Sequence, residues 1–159
     1  METTTRLDAR ALLDALSARW DAGDGDGYGE LFTPEATYVQ FSGVALNGRR
    51  EIADLHSLMF RTMLTGTRLV TKEIESVRMV GEDTAVIVSS AAVLYPWQKE
   101  LTPKRLSRQT FVVVRQDGRW LISAFQNSRV RPFPTQGPVF EAASRIIRFR
   151  VARTQGRAA

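Results

Sequence analysis

A chain of 159 residues with 43% apolar and 25% charged residues has the size and balance of one globular domain with its own core. It contains no cysteine, which excludes disulfides, thiolate nucleophiles and cysteine metal sites and fits a reducing, cytoplasmic setting. The formal charge of +5 is uneven: residues 129–159 hold seven Arg and one Glu, a net of +6, so residues 1–128 carry about −1 and lack the basic footprint of a nucleic-acid binder.

The first residues, M-E-T-T-T-R-L-D, are polar and acidic, unlike a secretory signal. No apolar run approaches the length of a membrane span, so no membrane partner is expected. Leu7 to Trp20 reads as a helix, with Leu12, Ala15, Leu16 and Trp20 on one stripe and Thr5 placed to cap it. The run Asp21 to Gly27 is acidic and glycine-rich but lacks the spacing and terminal Glu of a calcium loop. It reads as a turn and the N-cap of a short second helix, Tyr28 to Phe32, with Pro34 just past its end. Ala36 to Phe41 reads as a strand with Tyr38 and Gln40 on one face. After Asn47-Gly48 comes the clearest helical stripe in the chain: Ile52, Leu55, His56, Met59, Phe60 and Met63.

Strands are predicted over 68–80, 84–95, 105–115 and 119–130. Asp117-Gly118 joins the last two, a strong signal for a two-residue hairpin. Pro132, Pro134 and Pro138 end this unit. The expected division is a domain over 1–131 and a basic tail over 132–159, with an amphipathic pattern of Phe140, Ala143, Ile147 and Val151. Phe140, Ile147 and Val151 are expected to pack on the domain or on a dimer mate.

The order of helix, short helix, strand, helix and four long strands resembles the SnoaL-like, or nuclear transport factor 2-like, superfamily. The wording Phe41-Ser-Gly, Leu46-Asn-Gly-Arg-Arg-Glu-Ile52, His56, Arg119-Trp-Leu-Ile122 and Phe125-Gln-Asn-Ser-Arg-Val130 resembles its SgcJ/EcaC-type branch. The resemblance covers about residues 7–131. It implies an α+β fold in which a curved, antiparallel-rich sheet and three N-terminal helices enclose a cone-shaped pocket. It also implies natural-product chemistry, polyketide or enediyne, acting on an apolar carbonyl-bearing intermediate by cofactor-free proton transfer of the cyclase or isomerase type. The alternative is a binding module that shields or presents such an intermediate.

Candidate catalytic residues are His56, Gln126 and Tyr38. His56 is the only histidine and titrates nearest neutral pH, though a core histidine bonded to a backbone carbonyl reads equally well. Gln126, in phase with Trp120, Ile122 and Ala124, and Tyr38 can donate to a developing oxyanion. The strands of the closing hairpin carry no Asp or Glu, unlike the isomerase pattern, and Glu73 and Glu75 read as a solvated face shared with Leu69, Thr71 and Val77. Candidate ligand-binding residues are Trp20, Tyr28, Phe32, Gln40, Phe60, Ser90, Gln109 and Asn127. No acidic pair joins His56 at ligand spacing, so no metal is expected, and no phosphate-cradling glycine motif calls for a cofactor. Apolar residues on both faces of Thr110 to Val114 predict a homodimer through the sheet.

Overall fold

The structure, a computed structural model, describes residues 7–131 and 134–155. Helix α1 (Ala9–Asp21) is capped by Asp8, whose side chain accepts from Ala11 N at 3.0 Å. Thr5, the expected cap, lies outside the described residues. Helix α2 (Gly25–Gly29) is capped by Asp24 and begins three residues earlier than the sequence pattern predicts. Its glycines let it press against α3 (Arg49–Arg61): a Cβ on Gly29 would lie 2.8 Å from Ala53 Cβ. The acidic glycine run is therefore a helix contact, and Asp24 is occupied at the cap.

Because α2 ends early, Phe32 belongs to strand β1 (Phe32–Val39) and not to a helix, and Pro34 lies within that strand. Pro34 is tolerated there because β1 has no regular pairing with its neighbour between Phe32 and Thr37. Arg49 closes this irregular stretch by donating to Phe32 O from Nε and Nη2 at 2.8 and 2.6 Å. A short strand β2 (Ala45–Asn47), not foreseen from sequence, pairs with the end of β1.

Strands β3 (Arg68–Met79), β4 (Thr84–Leu94), β5 (Ser107–Gln116) and β6 (Arg119–Arg129) follow the predicted spans closely. Asp117 and Gly118 both have positive φ, 49° and 73°, as the primed hairpin turn requires. The six strands run in the order β2-β1-β6-β5-β4-β3, and only the β1–β6 pair is parallel. Helices α1 and α3 cover the concave side, where Leu16, Phe32, Ile52, Ile87, Phe111, Val113 and Ile122 are almost wholly buried. The architecture is the expected α+β arrangement of helices on a curled, unclosed sheet.

Helix α4 (Pro138–Gln155) corrects the expectation for the tail within one chain. None of its residues is buried, and Ile147 and Val151 are exposed.

Candidate functional site

Strand register stacks the concave face into rows. The floor is Ile87, Phe111 and Phe125; the next row is Ser89, Gln109 and Asn127; the third is Ala91, Ser107 and Arg129. Successive rows on one face are two residues apart, about 7 Å along the strands. Tyr38 stacks on Phe125 at 4.4 Å, and Phe111 lies 4.9 Å from Phe125. Above this aromatic floor is a cavity of about 210 Å³, below the roughly 300–1,000 Å³ usual for ligand sites. Its helical wall is Trp20, Leu55, His56 and Met59; its sheet wall includes Tyr38, Gln40, Ser107 and Asn127; its rim carries Phe41, Met63, Tyr95, Arg105 and Arg129.

The α3 stripe explains the helical wall. Ile52, His56 and Phe60 turn into the core, while Leu55 and Met59, one position round, face the cavity half-buried. His56 sits in an aromatic cage, stacked on Tyr28 at 4.3 Å and edge-on to Trp20 and Tyr38. Burial pushes its pKa down to about 4, against the opposing pull of its bond to Ile52 O. At neutral pH the ring is therefore uncharged. Nδ1 lies 2.7 Å from the Ile52 carbonyl, so it carries the proton, and Nε2 is left as an acceptor. The same ring is bonded to backbone and lines the space. Burial likewise raises the Tyr38 phenol to about 12, with the Tyr28 hydroxyl's hydrogen bond acting the other way, so Tyr38 stays a neutral hydroxyl.

The rim is basic. Arg129 Nη1 donates to Arg105 O at 2.9 Å, and its guanidinium lies 5.1 Å from the Phe41 ring centre. Arg105 lies over Tyr95 at 5.6 Å. Neither arginine has a carboxylate partner among the described residues.

The other candidates divide cleanly. Trp20, Tyr38, Gln40, His56 and Asn127 line the cavity. Tyr28, Phe32 and Phe60 are buried core beside it, and Gln109 lies buried in the second row, accepting from Ser89 Oγ at 3.4 Å. Trp20 is held by its Nε1–H donating to Thr67 Oγ1 at 3.0 Å.

Gln126 is a correction. It is exposed, on the opposite face of the sheet with Arg108, Thr110 and Ser128. The pairing of β5 with β6 skips a residue: Val113 faces Ile122 but Val112 faces Ala124, leaving Ser123 as an extra residue. A bulge reverses the alternation beyond it, so Ile122, Phe125 and Asn127 face inward and Gln126 outward. Ser90 is a second correction. Strand β4 alternates regularly, and Ala85, Ile87 and Ala91 face the core, so Ser89 lies on the concave side and Ser90 on the other. In β3 the first register shift, between Thr71 and Glu73, sets Glu73 opposite Ser90 and off the face of Leu69, and Glu75, the extra residue at the second shift, takes an ion pair from Arg108 at 2.9 Å.

Sequence reasoning missed the rim arginines. Arg129 is two residues beyond Asn127 on the same face, a signal that was available once the phase of β6 was known.

The family model of the calcium/calmodulin dependent protein kinase II association domain matches residues 6–130. The chain belongs to this family. Among solved structures it is similar to a domain of unknown function with a cystatin-like fold from Nostoc punctiforme, at 28% identity, over 92% of this chain and 94% of that one, with a TM-score of 0.72. A nuclear transport factor 2-like protein with a cystatin-like fold from Novosphingobium aromaticivorans matches at 20% identity over 84% of each chain, with a TM-score of 0.65. An uncharacterized protein with a cystatin-like fold from Caulobacter vibrioides matches at 23% identity over 78% and 88%, with a TM-score of 0.66. No curated protein matches the chain. The fold is thus that of the nuclear transport factor 2-like superfamily; these relatives do not single out the SgcJ/EcaC-type branch. Among the described residues no helix is long and apolar enough to cross a membrane.

Proposed function

We propose that this association-domain family member is a small-molecule pocket protein whose cavity takes a compact, mostly apolar ligand with an anionic group at the rim. The carrying observation is an aromatic-floored cavity whose mouth holds Arg105 and Arg129 without carboxylate partners among the described residues. Apolar walls supply affinity, and a guanidinium supplies paired donors suited to a carboxylate. Polyketide intermediates with an acidic end fit this description.

The lining residues include no Asp or Glu, and a buried imidazole with a pKa of about 4 is a weak base at neutral pH. Those facts support the module that shields or presents its ligand over the cyclase or isomerase. One observation keeps the enzymatic reading as a second choice: His56 Nε2 is an unprotonated acceptor on the cavity wall, with the Tyr38 hydroxyl nearby. Titration calorimetry with 4-ethylbenzoate tests the main reading. The double variant Arg105→Gln, Arg129→Gln should bind at least about tenfold more weakly than the wild type, as loss of a charged hydrogen bond implies. Unchanged affinity would remove the rim from the site.

We further propose a homodimer through the opposite face of the sheet. Val86, Val88, Val112 and Val114 lie there side by side, each still partly exposed. The family's name, an association domain, agrees with assembly. Sedimentation of Val112→Asp should show monomer where the wild type shows dimer.

A further inference from the structure

Charge and apolar exposure coincide at the mouth of the cavity, where three loops each hold apolar side chains out to solvent. The β1–β2 turn, closed by Gln40 N donating to Val44 O at 3.1 Å, carries Phe41 at 57% and Val44 at 54% exposed. The α3–β3 loop carries Met63 at 70%. The β4–β5 loop carries Trp97 at 75%, stacked on the rim residue Tyr95 with ring centres 4.8 Å apart. Phe41, Met63 and Tyr95 line one cavity, so these loops surround one opening. Exposed large apolar groups gathered in one place mark a contact surface.

The segments that form this mouth, residues 41–46, 59–66, 95–105 and 127–131, hold six Lys or Arg and one Glu, a net of +5. The rest of residues 7–131 holds ten Lys or Arg and fourteen Asp or Glu, a net of −4. The positive charge of the domain is thus concentrated around the opening. Helix α4 starts nine residues past Arg129 and carries four Arg and one Glu, with Ile146, Ile147, Phe149 and Val151 exposed. A basic helix with exposed apolar residues is of the type that lies on a lipid surface.

We propose that the cavity mouth docks on an anionic lipid surface, with Phe41, Met63 and Trp97 entering the headgroup region and Lys99, Lys104, Arg105 and Arg131 meeting the lipid anions. Single side chains on separate loops around an opening suit a fluid surface, which closes round each of them; a folded partner would need a matched socket for each. Indole and phenol rings favour the boundary between apolar and aqueous layers, and Lys and Arg lay their stems in the first while keeping their charge in the second. Such a contact needs no spanning segment, in keeping with the lack, among the described residues, of a helix able to cross a membrane. It stands on the outside of the mouth and does not depend on what fills the cavity.

The test uses the full chain with vesicles of phosphatidylcholine containing about 30% phosphatidylserine, against vesicles of phosphatidylcholine alone. Co-sedimentation at about 0.1 M salt should show binding at least about tenfold tighter to the anionic vesicles, weakening at about 0.5 M salt. Each cation near such a surface strengthens binding about fivefold, so the triple variant Lys99→Gln, Lys104→Gln, Arg131→Gln should bind at least about tenfold more weakly. The double variant Met63→Ser, Trp97→Ser should lose a similar factor, as withdrawal of two apolar side chains implies. Trp20 is buried and Trp97 exposed, so tryptophan emission should shift to the blue on binding, and Trp97→Phe should still bind but lose the shift. Equal binding to the two kinds of vesicle, or a shift that persists in Trp97→Phe, overturns the inference. Binding unchanged in both the charge and the apolar variants overturns it too, and assigns the lipid contact to α4. If vesicles do not bind while soluble poly-L-glutamate does, and the charge variant loses it, the partner is an acidic chain and the inference falls.

Discussion

His56 offers a measurement that needs no ligand. The ring is 5% exposed, and its pKa falls from an unfolded value of 6.5 to about 4 in the folded chain. A lowered folded pKa on a base means that the folded state resists the proton while the unfolded state accepts it. Above pH 6.5 neither state is protonated and no penalty exists. As pH falls from 6.5 to 4 the unfolded state gains the proton first, so stability drops through that window. The drop is about 2 kcal/mol at pH 5 and about 3 kcal/mol at pH 4, from 1.36 kcal/mol per pKa unit. His56→Phe keeps a ring of similar shape and deletes the titration. Urea unfolding of both proteins at pH 7.5, 6, 5 and 4 therefore isolates the histidine as a difference of slopes. Loss of the Ile52 hydrogen bond shifts the variant's curve by a constant amount and leaves its slope alone. Wild type should lose about 3 kcal/mol more than the variant between pH 7.5 and 4. Parallel curves would refute the neutral, buried imidazole, and with it the assignment of Nε2 as an acceptor.

Phe111→Ala empties the centre of the floor, where Phe111 is 1% exposed, and should cost about 3–5 kcal/mol, seen as a melting temperature lower by roughly 10 °C. Gln126→Ala should leave both stability and ligand affinity within experimental error, because the side chain is on the far face; an affinity loss would restore Gln126 to the site. Truncation after Arg131 should leave the melting temperature within about 2 °C of the full chain, since no residue of α4 is buried; a larger fall would show that the helix packs on the domain or on a second copy.

Much of the architecture could be read from local pattern. The Asp117-Gly118 turn pins the β5–β6 hairpin because only residues tolerant of positive φ suit it. The α3 stripe gave both the core face and the cavity wall, since a helix holds its period over its whole length. Strand alternation has no such protection. One extra residue at Ser123 reversed the phase of β6, exchanging Gln126 for Asn127 and hiding Arg129 in plain sequence. Nothing within Trp120 to Arg129 announces that bulge, because it exists only in the pairing with β5 and β1. The choice of Ser89 over Ser90 likewise depended on which face of β4 the helices cover. Which side chains could be strand, helix or turn was therefore a local matter of period and backbone preference. Which of them meet around one cavity was decided by register between strands distant in sequence, and that is a property of the folded chain.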